Sequence, residues 1–234
     1  MKTSAIILVG GKVDRELLKK SIDSVSWTDE IIKVESEKVK GGFAEWRNFG
    51  AKKAKGDWLL YIDTDEEVTS DLKKEILNIS GEFSAYAIPR RNFIFGKEFR
   101  HSGQFPDYQK RLFKKSEFIK WEGMLHEEPI FNGELGHLKS PMIHRKHNTL
   151  SDMVDKTNER SEIEAKLMFE ARHPRMNISR FFSAMAREFW LRMIKQTAFL
   201  DGGEGIIYAL YQVFSRFVSY AKLWEMQLNA SRNI

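Results

Sequence analysis

Two carboxylates, Asp63 and Asp65, follow an unbroken apolar run over residues 58–62. In an extended chain, residues two apart point to the same side and lie about 6 to 7 Å apart, so both carboxylates can face one ligand. Paired hard oxygen donors suit a divalent cation such as Mg²⁺ or Mn²⁺, which in turn binds a diphosphate. The alternative is a strand end followed by a solvated acidic helix start, with Thr69 or Ser70 as its cap.

The elements that must position this pair indicate an α/β fold. A run that is apolar at every position suits a strand covered on both faces, as in a parallel sheet. Residues 4–9 and 30–35 predict two further strands, with a turn at Gly10. Because ligands of such sheets bind beyond the carboxyl ends of the strands, we expect Glu35 near Asp63.

Helices and further strands are expected around this nucleus. Asp14 is a candidate N-cap for a first helix, and residues 44–55 predict a short helix that ends before Gly56. The remaining predictions are a helix carrying Leu72, Ile76 and Ile79, strands over 84–88 and 92–99 with a turn at Gly96 and Lys97, and strands over 109–113 and 118–121.

The acidic pair belongs to a series of motifs in a fixed order. The motifs are Gly41-Gly42-Phe43-Ala44-Glu45-Trp46-Arg47-Asn48, Gly56-Asp57-Trp58, Asp63-Thr64-Asp65-Glu66, Pro106-Asp107-Tyr108-Gln109-Lys110-Arg111-Leu112-Phe113, Trp121-Glu122-Gly123 and His126-Glu127. The series resembles the inverting glycosyltransferases of family 2, and most nearly the branch that includes lipopolysaccharide core β-1,4-glucosyltransferases. The likeness covers most of residues 1–145 and implies a GT-A domain, the Rossmann-like fold of nucleotide-diphospho-sugar transferases. One departure is Val34-Glu35-Ser36-Glu37-Lys38, where the family usually has an Asp-rich segment.

The resemblance implies a role for each candidate site residue. Donor-binding candidates are Glu35, Arg47, Asn48 and Asp63, and the metal-binding candidates are Asp65 and Asp63. An inverting transfer needs a carboxylate that takes the proton of the acceptor hydroxyl, and the candidates for that base are Glu127 and Asp107. The acceptor-binding candidates are Gln109, Arg111, Trp121 and His126.

Several of these residues also have a structural interpretation. Arg47 can hold a phosphate or brace the first carboxylate of the acidic pair. Trp121 can stack on a sugar or fill the core, which is the more frequent position of a tryptophan. His126 can be a hydrogen-bonded loop residue, and a zinc site that combines it with His144 or His147 matches no standard ligand spacing.

Composition narrows the class of protein. The chain has 234 residues, of which 42% are hydrophobic, so it can fill a real core. It has no cysteine, which is compatible with a reducing cytosol, and the apolar run over residues 5–9 is too short for a signal-peptide core. We therefore expect a cytoplasmic protein in which the glycosylation sequons are chance matches. The net charge of +5 suits nucleic acid, anionic lipid or a phosphorylated substrate.

The last third of the chain changes character. Residues 1–148 are assigned to the transferase domain and residues 149–234 to a helical region. The apolar stripe through Phe182 and Phe189 is expected to pack into a core. Basic and aromatic residues beside it would also suit an anionic membrane surface on the inner face of the membrane, while charged residues interrupt every run well short of a membrane span.

These patterns predict the transfer of a sugar from a nucleotide-diphosphate donor, by family likeness a UDP-sugar. The acceptor would be a glycan or a lipid-linked molecule of cell-envelope polysaccharide synthesis. One alternative is a sugar-nucleotide pyrophosphorylase, although residues 10–14 form a poor version of its Gly-rich loop. The other is a non-catalytic basic protein that binds RNA or membrane. Nucleic acid is not expected, because carboxylates at a strand end would repel phosphates unless a cation intervenes.

Overall fold

A computed structural model describes residues 1–11, 13–123, 127–147 and 149–232. The chain divides into two units. The first comprises Met1–Asn92 and Pro106–Arg145, and the second comprises Phe93–Phe105 and Lys146–Ile234. This division differs from the boundary predicted at residue 148, because residues 93–105 group with the helical part.

Strands and helices alternate in the first part of the chain, and helices follow in its last third. The described strands are β1 (Thr3–Val9), β2 (Glu30–Glu35), β3 (Trp58–Asp63), β4 (Glu66–Glu67), β5 (Ala85–Ile94), β6 (Lys97–Phe99), β7 (Asp107–Lys114), β8 (Phe118–Glu122), β9 (Glu128–Phe131), β10 (Leu135–His137) and β11 (Met142–His147). The described α-helices are α1 (Arg15–Ser24), α2 (Phe43–Lys53), α3 (Ser70–Leu77), α4 (Leu150–Glu170), α5 (Ile178–Phe189) and α6 (Gly202–Arg232). A π-helical segment, Trp190–Lys195, continues α5.

Three parallel strands form the edge at which the site was predicted. The strand order is β2-β1-β3, with Val9 opposite Glu35 and Leu8 opposite Asp63. The carboxyl ends of all three strands therefore lie together. Ile6 and Ile7 are both fully buried although they point to opposite faces, as a continuous apolar run predicts. The predicted α/β fold is confirmed.

The same sheet continues through β7, β5, β11 and β4. β7 pairs antiparallel with both β3 and β5, and β11 pairs antiparallel with β4. The strands predicted over 84–88 and 92–99 are instead the long β5 and the short β6, because Pro89 stays in the ladder opposite Tyr108. β9, β10 and β11 were missed, since charged or polar residues interrupt their apolar alternation.

Helix α2 lies directly on the sheet at Gly50. A Cβ at this position would be 2.4 Å from Cγ2 of Ile6, so a larger residue would push the helix away. Arg47 is one turn earlier on the same buried face of the helix. At the helix start, the Gly42 amide donates a hydrogen bond of 2.8 Å to Oε2 of Glu45. The close approach at Gly50 thus sets how far Arg47 reaches toward the strand ends.

The second unit is built mainly from α4, α5 and α6. Asp201, which is 4% exposed, accepts hydrogen bonds from the backbone amides of Arg100 and His101 and from Oγ of Ser102. These bonds explain why residues 93–105 group with the helices. None of the helices in the described part of the chain combines the length and the hydropathy that a bilayer-spanning segment requires.

The orientation of α5 reverses the one expected from the sequence. Phe182 is 75% exposed and Phe189 is also exposed, although both were assigned to a core stripe. Phe181, the residue before Phe182, packs on Phe217 with ring centroids 5.6 Å apart. The expectation was wrong because α5 turns a buried carboxylate, Glu188, toward the interior of the unit.

Candidate active site

Asp63 ends β3 and lies between two arginines. Its Oδ2 is 2.5 Å from Nη2 of Arg111, and its Oδ1 is 3.4 Å from Nη2 of Arg47. Burial by itself would raise the pKa of the Asp63 carboxyl, but the guanidinium groups of Arg111 and Arg47 outweigh that effect and lower the pKa well below its usual range. Asp63 is therefore ionised, and both of its oxygens are engaged. Arg47 therefore braces Asp63, which is one of the two roles that the sequence suggested for it, the other being to hold a phosphate.

Glu66 anchors the turn that follows β3. Its side chain is fully buried, and Oε2 accepts a hydrogen bond of 3.0 Å from the backbone amide of Asp63. Its Oε1 accepts from Nη2 of Arg111 at 2.6 Å and from Nη1 of Arg90 at 3.1 Å. Glu66 thus fixes the backbone of the acidic turn and joins Arg90 to Arg111.

Asp107, at the start of β7, has both carboxylate oxygens occupied. Its Oδ2 accepts from Nε and Nη2 of Arg90 at 2.9 and 2.6 Å and from Nδ2 of Asn92 at 2.9 Å. Its Oδ1 accepts from Nε2 of Gln109 at 2.7 Å. Burial would raise the pKa of Asp107, but the Arg90 charge and these hydrogen bonds lower it overall. The carboxylate therefore holds Arg90 and is a poor proton acceptor.

Asp65 faces a histidine from β11. Oδ2 of Asp65 is 3.6 Å from Nε2 of His144. On the other side of the ring, Nδ1 of His144 is 2.6 Å from Oδ1 of Asn92. Because an amide oxygen only accepts hydrogen bonds, Nδ1 carries the hydrogen. In the neutral ring the lone pair is then on Nε2, on the side of Asp65.

Glu127 joins the group through Arg47. Its Oε2 accepts a hydrogen bond of 3.0 Å from Nη1 of Arg47, and its side chain is 13% exposed. Its Oε1 accepts no hydrogen bond from the described residues. The guanidinium of Arg47 also lies over the ring of Trp121, 4.8 Å from the centroid. One arginine therefore holds Asp63 and Glu127 together at the end of β3.

Three other candidates have partners within the protein. Glu35 lies at the correct sheet edge, but its carboxylate pairs with Lys38 at 2.6 Å. Asn48 donates to the carbonyl of Trp121 and accepts from its amide, both at 2.8 Å, so both halves of its side-chain amide are used. Trp121 is buried beside Tyr61 and Phe113, which leaves no ring face for a sugar. His126 lies outside the described residues.

Arg111 and Gln109, two acceptor-binding candidates, also have partners within the protein. Arg111 is 4% exposed, and its Nη2 donates hydrogen bonds to Asp63 and Glu66. Gln109 orients Asp107. The sequence predicted no site role for Glu66 or Asn92, and it suggested His144 only for a zinc site that matches no standard ligand spacing. One sequence feature could have indicated a site on β5 and β7. Both strands have polar residues at successive positions, where a core strand would alternate polar and apolar residues.

The site offers few side-chain ligands for a divalent cation. Within the described residues, no group of three or more His, Asp or Glu side chains is placed to hold a metal ion. Asp63 is taken by two arginines, which leaves Asp65 and the adjacent His144. This set fits Mg²⁺ or Mn²⁺ bound in the manner of nucleotide sites, in which one or two protein ligands act together with substrate phosphates and water.

The sequence profile of Glycosyl transferase family 2 matches residues 11–131, just over half of the chain. The chain belongs to this family. Two relatives, each named an uncharacterized glycosyltransferase, come from Rickettsia. The one from Rickettsia bellii (strain RML369-C) is 25% identical over 266 residues, which covers 98% of this chain and 88% of the relative. The one from Rickettsia typhi (strain ATCC VR-144 / Wilmington) is 26% identical over 269 residues, which covers 100% of this chain and 90% of the relative.

This chain is also similar to solved structures. S. aureus TarS 1-349 in complex with UDP-GlcNAc is 13% identical, with 96% of this chain and 89% of that chain covered and a TM-score of 0.43. The family profile spans Asp63, Asp65, Asp107 and Glu127. Membership of the family identifies the enzyme as a glycosyltransferase and sets aside both alternatives, the pyrophosphorylase and the non-catalytic binding protein.

Proposed function

We propose that this glycosyltransferase moves a sugar from a nucleotide-diphosphate donor, a UDP-sugar, to a hydroxyl of a glycan or lipid-linked acceptor, with inversion. The observation that carries the proposal is the bridge that Arg47 makes between Asp63 and Glu127 at the carboxyl ends of the parallel strands. Ligands of open α/β sheets bind beyond this edge. The motifs that resemble the lipopolysaccharide core branch support an acceptor from cell-envelope polysaccharide synthesis.

The charge of the site favours a cation with the donor. Three guanidinium groups, those of Arg47, Arg90 and Arg111, lie among five carboxylates. The five carboxylates are those of Asp63, Asp65, Glu66, Asp107 and Glu127. A diphosphate placed beside this net negative group would be repelled unless a cation intervened.

Asp65, with His144 beside it, would hold the divalent metal. Asn92 fixes the ring of His144, as is usual for the outer partner of a metal-binding histidine. Bound with the donor, the metal would act as a Lewis acid that stabilises charge on the departing diphosphate. Arg47 and Arg111 keep Asp63 ionised and fixed beside this position.

Glu127 is the better candidate for the general base. The proton of the acceptor hydroxyl must pass to a carboxylate as the oxygen attacks the anomeric carbon opposite the leaving group. Glu127 has one oxygen held by Arg47 and a second oxygen that accepts no hydrogen bond from the described residues. Asp107 has both oxygens occupied and a lowered pKa. Asp107 therefore serves to hold Arg90, while Glu127 takes the proton at Oε1.

A donor screen by thermal unfolding tests this proposal. We expect a UDP-sugar with Mn²⁺ to stabilise the protein by about 2.7 kcal/mol at 100 times its Kd, and GDP- and TDP-sugars to do so less. Mn²⁺ without a nucleotide should have little effect, because the protein supplies too few ligands. Asp65→Asn should remove the Mn²⁺-dependent part of the shift, while the surface control Asp71→Asn on α3 should keep it. Equal stabilisation of Asp65→Asn and wild type would contradict the metal assignment, and no stabilisation by any nucleotide-sugar would contradict the donor class.

A further inference from the structure

Helix α5 presents its apolar side to solvent. Ile178 and Phe182, one turn apart on the helix, are 77% and 75% exposed, and Trp190 just beyond its end is 62% exposed. Phe189, two turns after Phe182, is also exposed. We call this group of four side chains the α5 apolar face. Large apolar residues this exposed and this close together mark an interaction site on a soluble domain.

A buried ion pair fixes the helix in this orientation. Glu188 is on the inward side of α5 and is 8% exposed. Its Oε1 accepts from Nε of Arg192 at 2.8 Å, and its Oε2 is 3.7 Å from Nε of Arg216 on α6. Turning α5 to bury Phe182 would move Glu188 away from Arg216 and break this contact with α6. The apolar face is therefore held outward.

Exposed arginines lie on the Trp190 side of this face, with Arg187 one turn before Trp190. Between residues 178 and 200 the chain carries Arg180, Arg187, Arg192 and Lys195 against the single carboxylate Glu188. Glu188 is already neutralised by Arg192 and Arg216. Arg180 and Arg187 are exposed and make no ion pair with the described residues. Phenylalanine and tryptophan bordered by unneutralised arginines are typical of helices that lie in the interface of an anionic bilayer.

A second copy of the chain would fit this face poorly. In a two-fold dimer the same patch meets itself, so Arg180 and Arg187 of both copies would lie at one interface with no unpaired carboxylate of this segment to neutralise them. Like charges brought together across an interface oppose association. An anionic membrane can bind both kinds of side chain, because the apolar residues can enter the acyl region while the arginines contact the anionic head groups.

We propose that the α5 apolar face inserts into the surface of an anionic membrane and holds the enzyme there. The structure supplies a formed helix with its aromatic residues already outward, so binding requires no refolding of this unit. The proposal is independent of the residues assigned to sugar transfer and goes beyond them, because it predicts where the enzyme works rather than what it catalyses.

Flotation of the full chain with vesicles tests the proposal. The probe is a vesicle of equal parts phosphatidylglycerol and phosphatidylcholine, compared with phosphatidylcholine alone. We expect wild type to float with the anionic vesicles at about 0.1 M salt and to be released at about 1 M salt. Little should float with the neutral vesicles.

Two variants and one control separate the contributions. The triple variant Ile178→Ser, Phe182→Ser and Trp190→Ser should bind anionic vesicles roughly a hundredfold more weakly, since three largely exposed apolar side chains no longer insert. The double variant Arg180→Gln and Arg187→Gln should bind about thirtyfold more weakly. The control Ile163→Ser and Leu167→Ser on α4 should bind like wild type. Circular dichroism should be the same for all four proteins, because every substituted side chain is exposed.

Three results would overturn the proposal. The first is wild type that fails to float at low salt. The second is a triple variant that floats like wild type. The third is a wild-type dimer in size-exclusion chromatography that the triple variant converts to a monomer without any vesicle binding, which would make a second copy of the chain the occupant of this face.

Discussion

Replacing Arg111 with methionine should destabilise the first unit through the buried carboxylates that remain. Arg111→Met keeps a similar length but removes the charge that lies 2.5 Å from Asp63 and 2.6 Å from Glu66. Breaking a buried ion pair by removing one partner costs about 3–5 kcal/mol. Arg47 and Arg90 remain at 3.4 and 3.1 Å from the two carboxylates, so we expect the lower end, about 3 kcal/mol.

Urea unfolding at neutral pH measures this loss. With a slope of about 2 kcal/mol per M, a loss of about 3 kcal/mol moves the midpoint down by about 1.5 M. The matched control is Lys110→Met, the neighbouring residue of β7, whose ion pair with Glu128 is solvent-exposed. That substitution should change the free energy of unfolding by no more than about 0.5 kcal/mol.

The pH dependence of the stability difference between wild type and Arg111→Met tests whether Asp63 contributes to the loss. The folded-state pKa of Asp63 is lowered, so its pairing contributes stability above the ordinary aspartate pKa and loses it as pH falls through the lowered value. In Arg111→Met the largest charge that lowers this pKa is gone. The gap in stability between wild type and variant should therefore narrow as the pH is reduced below about 4. A variant as stable as wild type, or a gap that widens in acid, would refute this account of the buried pairs.

Two other substitutions test how the site is held. Asn48→Ala should lower the free energy of unfolding by about 2–3 kcal/mol, since two hydrogen bonds to the Trp121 backbone are lost, and denaturant unfolding checks it. Unchanged stability with weakened UDP binding would instead restore Asn48 as a donor ligand. Gly50→Ala should cost about 1–3 kcal/mol in the same assay, because its Cβ would lie 2.4 Å from Ile6. An alanine there that leaves stability and activity intact would show that α2 is not fixed by this contact.

The sequence predicted the part of the fold that depends on local pattern. The apolar runs that became β1 and β3 need no partner to be recognised as buried strands, and the carboxylates after residue 62 then had to lie at the sheet edge. The pairing of β1 with β2 and β3 placed Glu35 and Asp63 at that edge as expected.

The partners of those carboxylates could not be predicted in the same way. Arg111 reaches Asp63 only because β7 pairs antiparallel with β3, and Asn92 reaches His144 across 52 positions of sequence. Such contacts depend on strand register, which local patterns do not encode. Helix α5 shows a related limit: its periodicity identifies an apolar face, but the side that turns inward carries the buried Glu188, which pairs with Arg192 and with Arg216 of α6.

The most direct test of the proposed mechanism compares Glu127→Gln with Asp107→Asn. Donor affinity is measured by calorimetry with UDP and Mn²⁺, and kcat is measured by release of UDP in the presence of acceptor. We predict that Glu127→Gln lowers kcat about 10²- to 10⁴-fold with donor affinity nearly unchanged, because a base for the acceptor acts after the donor is bound. Asp107→Asn should lower protein stability through Arg90 and change kcat less. The opposite ranking of the two kcat values, or a Glu127→Gln enzyme that turns over normally, would contradict the assignment of Glu127 as the base.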